Sequence, residues 1–320
     1  MLNNIKIGLY KFTLQVGTHG LELPTFYGST LRGAFGNALK RISCARRNQQ
    51  SCHSCSLEDE CAYAYLFETT SPEGAERLKS YDDVPRPFVM VCTLEGKTHF
   101  HAGEEFDVEM RLFGKGIDFV PYVVLAFINL AETGLGASRK PCALKHVTAF
   151  HPLRRTEAQV FSVQTHSIRS VNEVLHGRDV LSYLPSKAGI VGINLLTPLR
   201  IKADGDLISS VQFQHLTRSL LRRISSIMAF HQGIQLGLDY AGISERSRQI
   251  KLTKDFSSWY EFERYSQRQD SRMKMGGVVG KVEYTGDLTE FLPFLEIGRW
   301  VLAGKNSVFG LGQFDYVVRN

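Results

Sequence analysis

Hydrophobic and polar residues alternate at the start of the chain and then change to a helical period. The segment IKIGLYKFTLQV alternates with period two, which predicts a β-strand. The segment GSTLRGAFGNALKRI carries apolar residues at the spacing of one helix face, with Ser29 or Thr30 as the expected N-cap. Strands are also predicted at RPFVMVCTLEG, EEFDVEMRLFG and CALKHVTAFHPL, and a second helix at FVPYVVLAFINLAET. The order of elements in this half is β-α-β-β-α-β.

The second half of the chain repeats this order with little residue identity. Strands are predicted at AGIVGINLLTPLRI, WYEFERYS, GGVVGKVEYTG and GQFDYVV, and helices at FQHLTRSLLRRISSIMAFHQG and LTEFLPFLEIGRWVLAG. The pattern therefore predicts an α+β fold of two tandem ferredoxin-like (RRM-like, βαββαβ) domains. We place the domains at residues 1–160 and 161–320, with a cysteine-rich, metal-binding insertion at 44–66 in the first.

The first helix of the second half has two distinct faces. Its apolar stripe is predicted to be buried and consists of Phe213, Leu216, Leu220, Ile224, Ile227 and Met228. His215, Arg218 and Arg222 lie on another face, which suits either an RNA backbone or plain solvent. His231 falls on or beside the stripe, so it is either a hydrogen-bonded core histidine or a functional one.

Composition narrows the class of protein. The chain has 320 residues, of which 43% are hydrophobic and 22% charged, as in a folded globular protein and unlike a disordered one. We find no apolar run near the roughly 18 residues that cross a bilayer and no signal-peptide layout, which predicts a cytoplasmic protein without a membrane partner. A net charge of +6 favours a polyanionic partner.

Four of the six cysteines are clustered. Cys44, Cys52, Cys55 and Cys61 have the number and spacing of a four-thiolate site, with CHSC as a tight knuckle. Structural zinc is the favoured interpretation. An iron–sulfur cluster uses the same ligands, and unligated thiols are the third interpretation. The protein would supply all four ligands, so this metal would stabilise the fold and not catalyse.

A glycine-rich loop, GKNSVFGLG, precedes the last predicted strand. Gly304, Gly310 and Gly312 leave room for a phosphate to approach backbone amides, and Lys305 and Ser307 add a charge and a hydroxyl. Glycine after a helix is also a common C-cap, which is the structural interpretation of the same residues.

Aromatic and basic residues are interleaved in WYEFERYSQRQDSRMKMGG. Bases stack on aromatic rings while guanidinium groups hold phosphates, so this composition suits single-stranded or hairpin RNA. In a strand, half of the aromatic residues must face the core, so only the alternate set is free to bind.

These motifs together resemble the CRISPR precursor-RNA processing endoribonucleases of the RAMP superfamily, the Cas-six type, in a cysteine-containing branch. The resemblance spans nearly the whole chain. It rests on YGSTLRGAFGNALKR, CAYAYLFET, YDDVPRPFVM, FERYSQRQ and, above all, GKNSVFGLGQF.

The resemblance implies binding of a CRISPR repeat hairpin, contact with other CRISPR-associated proteins, and cleavage without a catalytic metal, leaving a 2′,3′-cyclic phosphate and a 5′-hydroxyl. The candidate catalytic residues are His19, His231, Tyr265 and Arg268. The candidate RNA-binding residues are Arg41, Arg218, Arg222, Arg264, Gly304, Lys305, Ser307, Gly310 and Gly312.

One position departs from the family's pattern. Members of this branch often have histidine in the first helix where this chain has Asn37. Asparagine does not transfer protons at neutral pH, so another residue must serve, or the protein only binds RNA. A non-catalytic RNA-binding RAMP subunit of a CRISPR effector complex is therefore the alternative function.

Overall fold

The computed structural model describes residues 2–46, 52, 55–69, 84–94, 96–266 and 271–319. The chain divides into two compact units. We call Ile5–His176 with Ser226–Ile234 the N-terminal unit. The C-terminal unit consists of Met1–Asn4, Gly177–Ser225 and Gln235–Asn320.

The N-terminal unit is built on an antiparallel sheet with the order β3-β5-β1-β6-β7-β8, and β9 pairs with β1. The β-α-β-β-α-β pattern β1-α1-β3-β5-α3-β6 confirms the predicted element order. The strands are β1 (Lys6–Val16), β2 (Leu21–Glu22), β3 (Phe88–Val91), β4 (His99–Phe100), β5 (Glu105–Phe113), β6 (Cys142–His151), β7 (Thr156–Ser162), β8 (Ser167–Ile168) and β9 (Val174–His176). The helices are α1 (Gly28–Ser43), α2 (Ala62–Phe67) and α3 (Val120–Thr133).

Aromatic packing joins the helices to this sheet. The ring of Phe12 on β1 stacks on Phe127 of α3 at 3.9 Å between centroids, and Phe35 of α1 meets Phe88 of β3 edge-on at 5.4 Å. The prediction of Ser29 or Thr30 as N-cap is wrong, because α1 already begins at Gly28 and both residues lie within its first turn.

The C-terminal unit repeats the arrangement with a sheet in the order β13-β16-β10-β17. Its strands are β10 (Ile190–Leu199), β11 (Lys202–Ala203), β12 (Asp206–Leu207), β13 (Lys251–Tyr260), β14 (Glu263–Ser266), β15 (Ser271–Lys274), β16 (Gly277–Thr285) and β17 (Phe314–Arg319). Its helices are α4 (Gly177–Leu181), α5 (Phe213–Gln232), of which the last turns group with the N-terminal unit, α6 (Tyr240–Ser247) and α7 (Leu292–Val301). All six residues of the predicted stripe on α5 are buried.

The units meet in sequence at His176, later than the predicted boundary at residue 160. A boundary at 160 would cut β7 and remove β8 and β9 from the sheet to which they are hydrogen-bonded. The predicted strand WYEFERYS is also divided, because Tyr260 ends β13 and Glu263 begins β14, which forms a separate hairpin with β15.

One helical stretch of the described chain, Gly114–Thr133, is long and apolar enough to cross a membrane. Much of it is core: Val123, Val124 and Phe127 of α3 are fully buried. The helices of soluble proteins pass the same test, so this stretch is weak grounds for a membrane span.

Candidate nucleic-acid interface

The glycine-rich loop between α7 and β17, residues 302–313, is shaped by its packing. Gly304, Gly310 and Gly312 all have positive φ, at 77°, 90° and 76°. A Cβ on Gly304 would lie 2.5 Å from the carbonyl oxygen of Arg200, and one on Gly312 would overlap the carbonyl oxygen of Ala303. Glycine is therefore required by conformation and by close backbone contacts.

The amides of these glycines are already used inside the protein. The N–H of Gly304 donates to Ser219 Oγ at 2.9 Å, that of Gly310 to Ser307 O at 2.9 Å and that of Gly312 to Pro198 O at 3.1 Å. Gly310, Gly312 and Ser307 are buried. The interpretation that this loop offers its glycine amides to phosphate is therefore wrong for these three amides, and the buried Ser307 is not at the surface.

The loop presents side chains instead. Lys305 is exposed, and its amide is fixed by a 2.8 Å hydrogen bond to Arg200 O. The guanidinium of Arg264, on β14, lies over the ring of Phe309 at 4.6 Å from its centroid. Asn306 contacts Met275 Sδ through its amide nitrogen at 3.8 Å. The predicted RNA-binding residues Lys305 and Arg264 are thus brought to one loop.

Helix α5 lies along the start of this loop. Ser219 holds Gly304, and Nε of Arg223 donates to the carbonyl of Val301 at the end of α7. Arg218 and Arg222 are exposed, as the sequence predicted for that face. The surface next to the loop therefore carries several cationic groups and suits a polyanion.

From the sequence, His215 was placed on the same face as Arg218 and Arg222, but it was given no catalytic or RNA-binding role. It precedes Ser219 by four residues, which places both on one helix face. Its Nδ1 is buried without a hydrogen-bond partner in the described chain. Burial lowers the pKa of His215 from 6.5, and the charge of Arg218 lowers it further, so the ring is neutral at pH 7. The signal in the sequence was its position on the same helix as Arg218.

The β14–β15 hairpin contributes part of the predicted aromatic and basic segment. Tyr265 lies on β14, but its side chain and the whole of Arg268 are outside the described part of the structure. Trp259 at the end of β13 is 39% exposed and donates from Nε1 to Glu261 at 3.2 Å. The catalytic roles of Tyr265 and Arg268 stay predictions.

The structure places His231 in a structural role. Only 2% of its surface is exposed. Its Nε2 lies 2.6 Å from the carbonyl oxygen of Pro85, so Nε2 is the donor, and Nδ1 lies 3.0 Å from the hydroxyl of Tyr65 on α2. Both ring nitrogens are therefore used, and the prediction that His231 is catalytic conflicts with this geometry. The core interpretation is the one that the structure supports.

The other N-terminal candidates are at the surface. His19 is exposed in the turn between β1 and β2, and Asn37 is exposed on α1. Arg41, near the end of α1, donates to Thr133 Oγ1 at 2.8 Å and to Asn129 Oδ1 at 3.3 Å on α3. Arg41 thus joins the two helices, and its role in RNA binding stays a prediction.

The four clustered cysteines are all half-buried. Burial raises the pKa of the Cys52 thiol, and the charges of Glu68, Cys61 and Cys44 raise it further while Lys40 lowers it. Within the described ranges no three His, Cys, Asp or Glu side chains are arranged to hold a metal. His53, inside the knuckle, lies outside those ranges.

Family models match both halves of the chain. The model of the CRISPR-associated endoribonuclease Cas6 family matches residues 193–314, and a family model described as an N-terminal domain matches residues 5–173. An uncharacterized protein of Archaeoglobus fulgidus is 24% identical over 300 residues, which cover 92% of both chains.

Solved Cas6 structures share the fold. A Thermus thermophilus Cas6 has a TM-score of 0.54 at 12% identity and covers 98% of this chain and 99% of its own. A Cas6 product complex has a TM-score of 0.57 at 14% identity, with 97% and 99% covered. A partial Cas6-RT-Cas1–Cas2 complex has a TM-score of 0.58 at 9% identity, and this chain spans 47% of that longer chain. The chain therefore belongs to the family of the N-terminal domain, whose model covers more than half of it, and its residues 193–314 match the model of the CRISPR-associated endoribonuclease Cas6.

Proposed function

We propose that this protein binds CRISPR repeat RNA and cleaves the precursor transcript without a catalytic metal. The observation that carries the proposal is the Cas6 family match over residues 193–314, because that range contains the terminal loop, Lys305, Arg264 and the exposed face of α5. Cationic side chains at this surface would hold the phosphates, which supply most of the affinity for a nucleic acid.

The chemistry requires three groups. The ribose 2′-hydroxyl attacks the adjacent phosphorus, and its proton passes to a general base. The bond from phosphorus to the 5′-oxygen breaks, a general acid protonates that oxygen, and cations stabilise the charge on the phosphorane. The products are a 2′,3′-cyclic phosphate and a 5′-hydroxyl. The proposed base is His19 or the neutral His215, and Lys305 and Arg264 are the proposed cations.

The cleavage test uses two RNA substrates. The purified protein should cut its cognate repeat RNA in EDTA, and a substrate with a 2′-deoxy residue at the cleavage site should remain intact, since it has no attacking oxygen. Cutting of the deoxy substrate would refute this mechanism. Loss of cutting in EDTA, with the cysteine site still loaded, would refute metal independence.

A non-catalytic RNA-binding subunit is the second candidate function. Asn37 is exposed on α1, and both ring nitrogens of His231 have protein partners, so neither residue supplies a free proton acceptor. Recovery of intact repeat RNA from a tight complex would favour this function. Product bands in the same experiment would favour the nuclease.

We further propose that Cys44, Cys52, Cys55 and Cys61 bind a structural zinc ion. Support comes from their number and their spacing in the sequence. About one equivalent of zinc in the purified protein, lost in Cys55→Ser with a lower melting temperature, is expected. Iron with sulfide would indicate a cluster instead, and less than half an equivalent of either metal would count against the site.

The proposed partners are the repeat RNA and other CRISPR-associated proteins, and the proposed compartment is the cytoplasm. The similarity to chains from Cas6-RT-Cas1–Cas2 complexes motivates the second class of partner. Co-purification of tagged protein with products of neighbouring CRISPR genes would test it, and recovery of the protein alone after cross-linking would contradict it.

A further inference from the structure

Two arginines beside the terminal loop have side-chain donors without acceptors. Nε of Arg200, which follows β10, and Nε of Arg264 are buried and have no hydrogen-bond partner in the described chain. Buried polar atoms are bonded in the large majority of cases, and an unmet donor is costly. An orphan donor on each of two cationic side chains at one loop therefore indicates a missing acceptor.

The charges of these arginines are poorly compensated. Arg200 donates to the carbonyl of Gly276, and Arg264 contacts Met273 Sδ at 3.6 Å, which is a weak acceptor. Within the part of the chain that the structure describes, Glu261 is the carboxylate that acts on Arg200, and its oxygens already accept from Gly276 N at 2.7 Å and from Trp259 Nε1 at 3.2 Å. Burial lowers the pKa of Arg264, and no carboxylate among the described residues opposes this effect.

Both guanidinium groups lie against the same short stretch of chain. Arg200 bonds to Gly276 and Arg264 contacts Met273, and three residues of extended chain span about 10 Å. Arg200 also holds Lys305 through its carbonyl oxygen, while Arg264 lies over Phe309. The loop is thus contacted by the backbone of Arg200 and by the guanidinium of Arg264, and it carries the exposed Lys305.

We propose that Arg200 and Arg264, together with Lys305, form an anion site that takes the phosphodiester oxygens of bound RNA. The inference rests on the proposed RNA-binding function and specifies which groups bind phosphate. Guanidinium groups match phosphate oxygens in a planar, two-donor geometry that an ammonium group does not reproduce. The phosphate would accept from the orphan Nε atoms, and the packed glycine amides would take no part.

Binding of the uncleavable 2′-deoxy repeat substrate tests the site separately from cleavage. Arg200→Lys and Arg264→Lys keep the charge and lose the Nε donor, so each should weaken RNA binding by about tenfold or more. Arg264→Met should weaken binding further and lower the slope of log K against log salt by about one. The matched control is Arg246→Gln, an arginine of the same unit that is paired with Glu290 at 2.7 Å, and its binding should be unchanged.

Stability separates a ligand-binding role from a structural one. Because the Nε donors have no hydrogen-bond partner among the described residues, Arg264→Met should melt at or near the wild-type temperature while RNA binding falls. Inorganic phosphate should raise the wild-type melting temperature and should not raise that of a variant lacking both arginines. If phosphate raises the wild-type melting temperature but the protein does not bind repeat RNA, the RNA-binding function is refuted and the anion site is supported. Wild-type RNA affinity in both lysine variants, or a melting temperature that falls in step with RNA affinity, would overturn the inference.

Discussion

At the scale of the residue, the glycines of the terminal loop act by leaving out a side chain where two backbone segments meet. Gly312 combines a φ of 76° with a carbonyl oxygen of Ala303 in the space that a Cβ would need. The sequence identified these glycines as special positions. The sequence did not show whether the space beside each glycine is taken by a bound ligand or by another backbone segment of the protein, because both cases require glycine.

Comparing substitutions at Gly312 and Gly205 separates the cost of the left-handed conformation from the cost of overlap with a neighbouring backbone atom. Gly312→Ala should be strongly destabilising, because the left-handed conformation and the overlap with Ala303 O both oppose it. Gly205→Ala is the control: its φ is 96° but nothing lies within 4 Å, so only the conformational cost of about 1–2 kcal/mol applies. Chemical denaturation measures both variants, and equal losses of stability would contradict the packing explanation.

The pH dependence of cleavage tests the two candidate bases. A base must be unprotonated to act, and the pKa of His215 is lowered, so a reaction that uses it should keep its rate to a pH below 6.5 before it declines. His215→Gln should then remove most of the single-turnover rate at unchanged RNA affinity, and His19→Gln should not. If the decline of the cleavage rate at low pH persists in His215→Gln and vanishes in His19→Gln, the general base is His19.

At the scale of the element, the short helix α2 is fixed by contacts that the sequence did not reveal. Its Phe67 packs where a side chain on Gly36 of α1 would stand, and Arg32 lies over the same ring at 3.9 Å. Tyr65 of α2 bonds to His231 and stacks on Phe119 at 4.9 Å. Helix α2 follows Cys61 directly, so these contacts also orient the end of the cysteine segment.

Two glycines of α1 provide a matched pair for this packing. Gly33→Ala adds a methyl group where nothing lies within 4 Å, so it should stabilise the protein by up to about 1 kcal/mol through helix propensity. Gly36→Ala has the same propensity gain but displaces Phe67, so we expect a net loss of stability. Thermal melts of both variants measure the difference. Equal stabilisation by both would show that α2 does not depend on this contact.

Long periodic elements were predictable from sequence, and short ones were not. The stripe of α5 and the strands of both central sheets follow hydrophobic periodicity, which local residues determine. Strands β8 and β9 have two and three residues, too few to show a period, and they join the sheet through pairing with distant strands. The predicted boundary therefore fell inside β7. His231 was ambiguous because Tyr65 and Pro85 are far from it in sequence.

At the scale of the whole molecule, the net charge of +6 leads us to expect that RNA binding weakens as the salt concentration rises. Affinity for repeat RNA should fall linearly on a plot of log K against log salt, since binding releases counterions. A variant with Arg218→Gln and Arg222→Gln should have a slope shallower by about two units. A variant with Arg246→Gln and Arg248→Gln, two arginines engaged in ion pairs, should keep the wild-type slope.

That comparison tests whether the exposed face of α5 contacts RNA or is only solvated. Filter binding at several salt concentrations measures the slopes, and equal slopes in the two double variants would support the solvated face.

Each unit follows the βαββαβ order predicted from the repeated pattern. The placement of charge around the loop was not predictable, because Arg200 reaches Gly276 across many residues of intervening chain.

The internal use of the glycine amides has an evolutionary consequence. A descendant that abandoned its nucleic acid ligand would still need Gly304 and Gly312 to close its second domain, whereas selection would no longer maintain Arg200, Arg264 or Lys305. In diverging lineages the glycines should therefore remain conserved after the activity is lost, and the basic residues around them should be the first to be substituted.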